Sequence, residues 1–163
     1  MATIRPIRDD EIAALSEITV AAYGTLAMDV GDYRDTLADV ADRVRSARVL
    51  VAVEGDRVVG GVTYVPDATS TYAEFADADG AGIRMLAVDP AARGGGVGEA
   101  LVAACVAIAR ADGRRRVVLH TTAAMSAAQR LYARLGFVRA ADRDWSPEPE
   151  IALLGYELVL CDT

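Results

Sequence analysis

The sequence predicts a mixed α/β domain in which one sheet carries helices on both of its faces. Three observations support this class. Short apolar runs typical of strands recur along the chain, and two of them are joined by a tight turn as a hairpin. Amphipathic stretches with helical spacing separate other runs, which gives strand–helix–strand crossovers. The chain has 163 residues and no internal repeat, so we expect one domain over residues 1–163.

The amino-terminal part predicts a strand, two helices and a hairpin. Residues 3–7 suit an edge strand, because Pro6 has no N–H to donate to a ladder. Apolar residues at helical spacing then predict one helix capped by Asp9 and a second capped by Asp32. Residues 49–53 and 58–65 form the predicted hairpin, and Gly60-Gly61 indicates a bulge or a close backbone contact there.

The remaining elements follow a long loop at residues 66–82, a length that is more often functional than idle. A strand at 83–88 leads through glycines into a helix at 99–112, and a strand follows at 117–121. A short helix at 126–135 and strands at 137–140 and 151–160 complete the order βααβββαβαββ. The proline-marked segment 145–149 is predicted as a loop, and Arg114 to Arg116 as solvated charge at a helix end.

Composition narrows the class of protein. The net charge of −7 argues against nucleic acid or an anionic membrane as the main partner, and a cationic or amine-bearing substrate suits the field better. The chain contains no lysine, which excludes a Schiff base and a Walker lysine. No metal-ligand cluster is present, and Cys105 and Cys161 lie far apart. Without a signal peptide or an apolar run long enough to span a membrane, we expect a cytoplasmic location.

A glycine-rich segment between a strand and a helix is the strongest functional signal. It reads Arg93-Gly94-Gly95-Gly96-Val97-Gly98 and precedes the longest apolar helical pattern in the chain. Free N–H groups at a helix start, together with the helix dipole, favour phosphate, and glycines let the backbone approach a pyrophosphate closely. The segment therefore predicts a phosphate-binding loop.

Two common phosphate-binding loops do not fit this segment. In the dinucleotide-binding fingerprint Gly-x-Gly-x-x-Gly, the third glycine would fall at Glu99. That fingerprint also follows its strand almost directly, whereas five residues separate the strand from the glycines here. A P-loop requires the lysine that the chain lacks.

The segment instead resembles the pyrophosphate loop of the GNAT superfamily of N-acetyltransferases, whose pattern is Arg/Gln-x-x-Gly-x-Gly/Ala. The preceding Met85-Leu86-Ala87-Val88-Asp89-Pro90 is similar to that family's fourth strand and its exit. About thirty residues later, Leu131-Tyr132 followed by Gly136-Phe137 resembles a second family motif. The resemblance covers essentially the whole chain. It implies the GNAT fold, with a mixed, mostly antiparallel sheet of six to seven strands.

The resemblance also implies a cosubstrate and residues that would bind it. Acetyl-CoA would lie where the fourth and fifth strands separate, with its pantetheine arm along Leu86, Ala87 and Val88. The N–H groups of Gly94, Gly95, Gly96, Val97 and Gly98 would hold the pyrophosphate, and Arg93 would add charge. Tyr132 occupies the position of the general acid that protonates the departing thiolate in many relatives.

The general base is not assigned by the resemblance. Many relatives carry a glutamate near the start of the fourth strand, where this chain has Ala81-Gly82-Ile83, and an asparagine where it has Met125. Glu74 in the long loop is the leading substitute. His120, the single histidine, is the second candidate, because an imidazole can accept a proton near neutral pH.

The resulting hypothesis is an N-acetyltransferase that moves an acetyl group from acetyl-CoA to a primary amine of a small molecule or peptide. The amine would attack directly in a ternary complex, without a metal. Two alternatives stay open at this stage: another acyl-CoA donor, and a non-catalytic acyl-CoA-binding domain. The loops at 66–82 and 145–149 are expected to shape the acceptor pocket, and an exposed Trp145 would suit a homodimer interface.

Overall fold

A computed structural model describes residues 2–24, 38–123, 125–149 and 151–160. Its strands are β1 Thr3–Pro6, β2 Arg48–Glu54, β3 Arg57–Val65, β4 Gly80–Val88, β5 Arg116–Thr121, β6 Val138–Arg139, β7 Trp145–Glu148 and β8 Ile151–Val159. Its helices are α1 Ile12–Gly24, α2 Val40–Ser46, α3 Val97–Ala111 and α4 Ser126–Arg134, with single 3-10 turns at Asp9–Glu11, Pro90–Ala92 and Ala141–Arg143. The predicted cap Asp32 and Cys161 lie outside the described residues.

The strands form one mixed, mostly antiparallel sheet in the order β1-β2-β3-β4-β5-β8-β6, with β7 paired to the outer part of β8. Only the central pair, β4 and β5, is parallel; each other described pair is antiparallel. The predicted class is therefore confirmed. The described chain has eight strands rather than six or seven.

The extra strand comes from a segment that was predicted as a loop. Trp145–Glu148 pairs with β8, with Trp145 opposite Leu153 and Glu148 opposite Ile151, and its register shifts between these two pairs. Pro147 lies within the irregular part, which is where a strand tolerates proline. The strand predicted just before this segment, at 137–140, is shorter than expected, since β6 contains only Val138 and Arg139.

The middle strand β4 starts earlier than predicted and is bent. It begins at Gly80, so the preceding loop ends at residue 79. Against β3, the register shifts where Thr63 faces Arg84 and Gly61 faces Ala87, which inserts one extra residue into β4. Met85 lies at this bulge with φ 56°, the single positive φ of a non-glycine residue among those described. The bulge re-aims the second half of β4.

The sheet buries separate clusters on its two faces. On one face, α3 and α4 pack over an apolar cluster that includes Leu101, Val117, Leu119 and Tyr132. On the other face, α1 and α2 cover a second cluster around Leu15 and Val40. Helices on both faces were predicted. The close backbone approach predicted at Gly60-Gly61 is also present, because a Cβ at Gly60 would lie 2.8 Å from the carbonyl oxygen of Ala87.

The start of the first helix differs from the prediction. Asp9 is not the N-cap, because the chain first makes a 3-10 turn at Asp9–Glu11 that is preceded by Arg8. The Glu11 carboxylate accepts a hydrogen bond from the Arg8 N–H at 2.8 Å and pairs with both terminal nitrogens of Arg5 at 2.8 and 2.7 Å. The Arg5 guanidinium, helped by the Arg8 N–H, lowers the pKa of Glu11 from 4.5 to about 2.

This ion pair predicts a pH-dependent contribution to stability. Because the pKa of Glu11 is lower in the folded chain, its contribution is present above pH 4.5 and is lost as the pH falls to about 2. Glu11→Gln should therefore be less stable than the wild type at pH 7, and the difference should shrink through this interval. Urea unfolding at pH 7, 4, 3 and 2 measures it. An equal loss of unfolding free energy at every pH would contradict this account.

A network of ion pairs between side chains holds the loop between β3 and β4 in place. Arg143, in the last 3-10 turn, donates to both oxygens of Asp77 at 2.7 and 3.0 Å and to Glu157 on β8 at 3.1 Å. Arg116 adds contacts to Asp79 at 3.3 Å and to Asp77 at 3.8 Å. The prediction that Arg114 to Arg116 are solvated charge is therefore wrong for Arg116, which ties the loop to β5.

Candidate active site

The site begins where the parallel strands β4 and β5 separate. They pair only at Gly80–Arg116, Ala81–Val117 and Gly82–Val118. Beyond Gly82, β4 keeps β3 on one side, while no described strand pairs with its other edge as far as Val88. Such an open edge presents backbone N–H and C=O groups that an extended ligand can bind as an added strand. The predicted pantetheine-binding residues Leu86, Ala87 and Val88 lie on this edge.

The open edge leads directly to the glycine loop. Asp89 follows the strand and caps the next 3-10 turn, where its carboxylate accepts from the Ala91 N–H at 3.0 Å and from Arg57 at 3.0 Å. Gly94 and Gly96 adopt φ 88° and 79°, a left-handed conformation that side chains disfavour. Gly96 is the N-cap of α3. The helix therefore starts two residues earlier than predicted, at Val97.

The loop has the features of an anion cradle. Residues 93 to 96 are exposed, and no described residue accepts a hydrogen bond from the N–H groups of Gly94 to Gly98. These donors stand at the amino end of a helix of 15 residues, where the helix dipole places positive charge. The arrangement can bind a phosphate or pyrophosphate group.

Close packing brings Tyr132 to the same end of the sheet. A Cβ at Gly98 would lie 3.5 Å from Leu131 and 3.6 Å from Val88, so α3, α4 and the end of β4 meet there. Tyr132, next to Leu131 on α4, is 5% exposed and lies against the rings of Phe137 at 5.8 Å and Tyr156 at 6.4 Å. Its hydroxyl makes no hydrogen bond within the described chain. The hydroxyl of this buried ring is therefore available to a ligand.

Burial also sets the chemistry of the two nucleophilic groups on this face. It raises the pKa of Tyr132 well above the usual value, with a smaller contribution from the nearby Cys105. The phenol therefore keeps its proton at neutral pH and can act as a donor. Burial also raises the pKa of Cys105 to about 12, so this thiol is not a reactive nucleophile.

The opposite face of the sheet holds an open cleft of about 540 Å³. Two segments form its walls, the loop before β4 and the turn that leads into β7, with the lining residues Thr71, Ala73, Glu74, Arg84, Asp142, Arg143, Asp144 and Trp145. Glu74 accepts from Arg84 Nε at 3.0 Å, and its side chain is 13% exposed. Arg84 stands on β4 directly before the bulge and lies over the ring of Tyr72. Glu74 is thus held beside the separated strands.

His120 lies on β5, next to Glu74. Leu119 packs under α3, so His120 points to the opposite face, as alternation along a strand requires. Its side chain is 2% exposed, and Nδ1 lies 3.8 Å from the Glu74 carboxylate. Nε2 lies 2.8 Å from the backbone oxygen of Arg143. The two candidate bases are therefore neighbours, although 46 positions separate them in the sequence.

Comparison with known proteins decides the family. The model of the "Acetyltransferase (GNAT) family" matches residues 12–137, which is more than half of the chain. The chain belongs to the GNAT family of acetyltransferases.

Solved structures agree with this assignment at the level of the fold. YncA of Salmonella typhimurium, solved with its cofactor acetyl-CoA, has a TM-score of 0.74 at 24% identity and covers 100% of this chain and 96% of its own. A ribosomal-protein-alanine N-acetyltransferase of Brucella melitensis has a TM-score of 0.72 at 24% identity, covering 97% and 99%. A GNAT-family acetyltransferase of Staphylococcus aureus has a TM-score of 0.77 at 15% identity, and the match covers 99% of this chain and 100% of the other.

Curated relatives match over shorter stretches. Mycothiol acetyltransferase of Salinispora tropica is 48% identical over 58 residues, which is 35% of this chain and 19% of the relative. The Thermobispora bispora protein of that name is 41% identical over 73 residues, 44% of this chain and 25% of the relative. This GNAT chain thus spans about a fifth to a quarter of the length of these relatives.

Sequence reasoning missed several features of the GNAT site. Arg84 was not singled out, although it holds Glu74, and neither was the Arg143 backbone oxygen that receives His120. An arginine between two apolar strand residues could have signalled Arg84, because an isolated charge in a central strand needs a partner. Within the described ranges, no group of His, Cys, Asp and Glu side chains is placed to hold a metal ion. None of the described helices is long and apolar enough to cross a membrane.

Proposed function

We propose that this GNAT enzyme is an N-acetyltransferase that moves an acetyl group from acetyl-CoA to a primary amine of a small molecule or peptide. The observation that supports it is the open edge of β4, which runs from the bulge at Met85 to the glycine loop. An extended pantetheine arm with a pyrophosphate at its end matches an open strand edge that ends in an anion cradle.

The cosubstrate-binding residues follow from this alignment. The backbone of Leu86, Ala87 and Val88 would pair with the pantetheine amides, and one N–H there would face the thioester carbonyl. The N–H groups of residues 94–98 would bind the pyrophosphate, assisted by Arg93. No step in this reaction needs a metal ion.

The proposed reaction is a direct attack in a ternary complex. A neutral amine attacks the thioester carbon, and a strand N–H stabilises the developing oxyanion. Tyr132 then donates a proton to the departing CoA sulfur as general acid. Free alkyl amines bind a proton strongly, so a base must remove one, and Glu74 and His120 are the candidates. They lie on the face of the sheet opposite Tyr132, and β4 and β5 are unpaired beyond Gly82, so we expect the acceptor amine to approach the thioester from that face.

Acetyl-CoA should raise the melting temperature of the protein. A ligand at 100 times its dissociation constant adds roughly 2.7 kcal/mol, which corresponds to several degrees for a chain of this size. Differential scanning fluorimetry with acetyl-CoA measures this, and ATP at the same concentration controls for a general effect of phosphate. A melting temperature unchanged by millimolar acetyl-CoA would contradict the cofactor site.

Thiol release then separates catalysis from binding. Acetyl-CoA is incubated with the enzyme and a panel of primary amines, and free CoA is measured with a thiol reagent. Release that depends on one amine identifies an N-acetyltransferase, while binding without release across the panel favours the non-catalytic alternative. Propionyl- and succinyl-CoA in the same assay test the acyl-donor alternative. The cytoplasmic location, the homodimer, the single domain and the absence of nucleic-acid or membrane partners stay predictions.

A further inference from the structure

Two candidate bases that lie side by side need not act as alternatives. Glu74 lines the open cleft and is 13% exposed at its side chain, while His120 is 2% exposed and lies behind it. An amine in the cleft can therefore contact the Glu74 carboxylate but not the imidazole. His120 can take part only through Glu74.

The hydrogen bonds of His120 define its neutral tautomer. The Arg143 backbone oxygen can only accept, so Nε2 at 2.8 Å must carry the ring hydrogen. Nδ1 then presents a lone pair, and it is a buried nitrogen without a hydrogen-bond partner. This lone pair points to the Glu74 oxygen at 3.8 Å. Two acceptors that face each other in this way leave room for one proton between them.

The surroundings hold this arrangement in place. Arg84 fixes the Glu74 carboxylate from β4, and Arg143 is itself locked by Asp77 and Glu157. The Trp145 ring packs edge-on against the imidazole, with the ring centroids 6.4 Å apart and the ring planes at 84°. Asp144, the remaining acid beside His120, is occupied by Arg139 at 2.6 Å and by the Gly155 N–H at 2.8 Å. Glu74 is thus the acid that faces Nδ1.

From this geometry we infer that Glu74 and His120 form a proton relay, in which Glu74 takes the proton from the acceptor amine and His120 Nδ1 stores it. The inference rests on the proposed acetyltransferase function. A carboxylate alone is a weak base near neutral pH, whereas an imidazole behind it can hold the proton that the carboxylate passes on. The gap of 3.8 Å is long for a hydrogen bond, but such bonds often tighten only when substrate is bound.

The step balances in protons and electrons. The amine lone pair forms the new C–N bond, and the thioester carbonyl becomes an oxyanion. One N–H proton passes to the Glu74 carboxylate and from there to Nδ1, which gives an imidazolium next to a carboxylate. The oxyanion then collapses, the C–S bond breaks, and the sulfur receives a proton from Tyr132. After the amide leaves, the stored proton returns through Glu74 to the solvent, and the Tyr132 phenolate takes a proton back from the solvent, so the enzyme regains its starting state. Glu74 is the catalytic residue, and His120 is a positioning residue that acts through it.

Nuclear magnetic resonance can test the pair without any acceptor, because the chain contains a single histidine. The nitrogen shifts should report the neutral tautomer with hydrogen on Nε2. The titration midpoint of the imidazole should be lower in Glu74→Gln than in the wild type, because the variant removes the facing carboxylate. A tautomer with hydrogen on Nδ1, or a midpoint that Glu74→Gln leaves unchanged, would overturn the relay.

Kinetics with the amine identified by thiol release supply the second readout. His120→Gln should lower kcat about tenfold, less than the loss of a full general base. It should also move the acid limb of the kcat profile to lower pH, because the carboxylate then acts alone. Thr121→Val is the matched control, since it changes the next buried polar residue of β5, on the opposite face. It should leave the limb in place.

The outcomes distinguish the relay from the function on which it rests. An acid limb at the same pH in the wild type and His120→Gln would overturn the relay even if kcat fell, because a structural defect lowers kcat at every pH. If acetyl-CoA does not bind the wild type, the proposed function fails, and the resonance experiment still decides whether the pair exists. His120→Gln should keep the full thermal shift with acetyl-CoA.

Discussion

Tyr132→Phe is expected to lower kcat about 100-fold, the lower end of what a general acid contributes. The variant removes only a hydroxyl, since the ring is held by Phe137 and Tyr156 and phenylalanine fills the same space. Burial keeps the phenol protonated at neutral pH, so it can donate to the departing CoA sulfur. The raised pKa also makes the phenol a weaker acid, so the loss of kcat should stay near the lower end of the range for a general acid.

Steady-state kinetics and unfolding together check this expectation. The KM for acetyl-CoA and the thermal shift should stay close to those of the wild type. The free energy of unfolding should not fall, because the hydroxyl makes no hydrogen bond within the described chain. Wild-type kcat should show no alkaline loss from Tyr132 before about pH 10, the ordinary tyrosine pKa. Unchanged turnover in Tyr132→Phe would remove this residue from the mechanism.

A second buried tyrosine provides the control. Tyr64 is fully buried, and its hydroxyl donates to Asp112 at 3.1 Å, far from the proposed reaction. Tyr64→Phe should lower the free energy of unfolding by about 1 kcal/mol, the usual value of one hydrogen bond, and leave kcat unchanged. The two variants should therefore show opposite patterns, one in turnover and the other in stability.

The proposed cofactor side of the site is visible in the sequence because it is local. A strand, a glycine loop and a helix occupy consecutive positions, and the positive φ of Gly94 and Gly96 is a property that glycine itself indicates. The second motif, Leu131-Tyr132 with Gly136-Phe137, lies on and directly after α4, which is the next helix along the chain. Its distance in sequence from the glycine loop supplied the remaining evidence for the family. The family match over residues 12–137 confirms the family to which these motifs pointed, and the cofactor-binding role of the individual residues stays a prediction.

The proposed acceptor side could not be predicted because it is assembled from distant segments. Glu74, Arg84 and His120 come from a loop and two strands, and no spacing rule brings them together. The bulge at Met85 depends on the tertiary packing of β4, and the strand at Trp145–Glu148 exists only because β8 offers an edge. Arg116 and Arg143 likewise find their carboxylates through the fold rather than through neighbours in sequence.

Gly96→Val should reduce acetyl-CoA affinity by at least about tenfold, because it changes the anion cradle at the N-cap of α3. Gly96 has φ 79°, so any side chain strains this position by roughly 1–3 kcal/mol. Relief of that strain would rotate the N–H groups of the loop away from the pyrophosphate. The position itself is open, since a Cβ there meets nothing within 4 Å. The valine side chain would therefore stand in the space proposed for the phosphate.

Gly113 offers a matched control at the other end of the same helix. It has φ 74°, and a Cβ there also meets nothing within 4 Å. Gly96→Val and Gly113→Val should lose similar unfolding free energy, measured by urea denaturation, because the backbone strain is alike. Only Gly96→Val should weaken acetyl-CoA binding, measured by isothermal titration calorimetry. If both variants bind acetyl-CoA with equal affinity, backbone strain would be the whole effect of either change. The pyrophosphate would then bind somewhere other than the loop at Gly96.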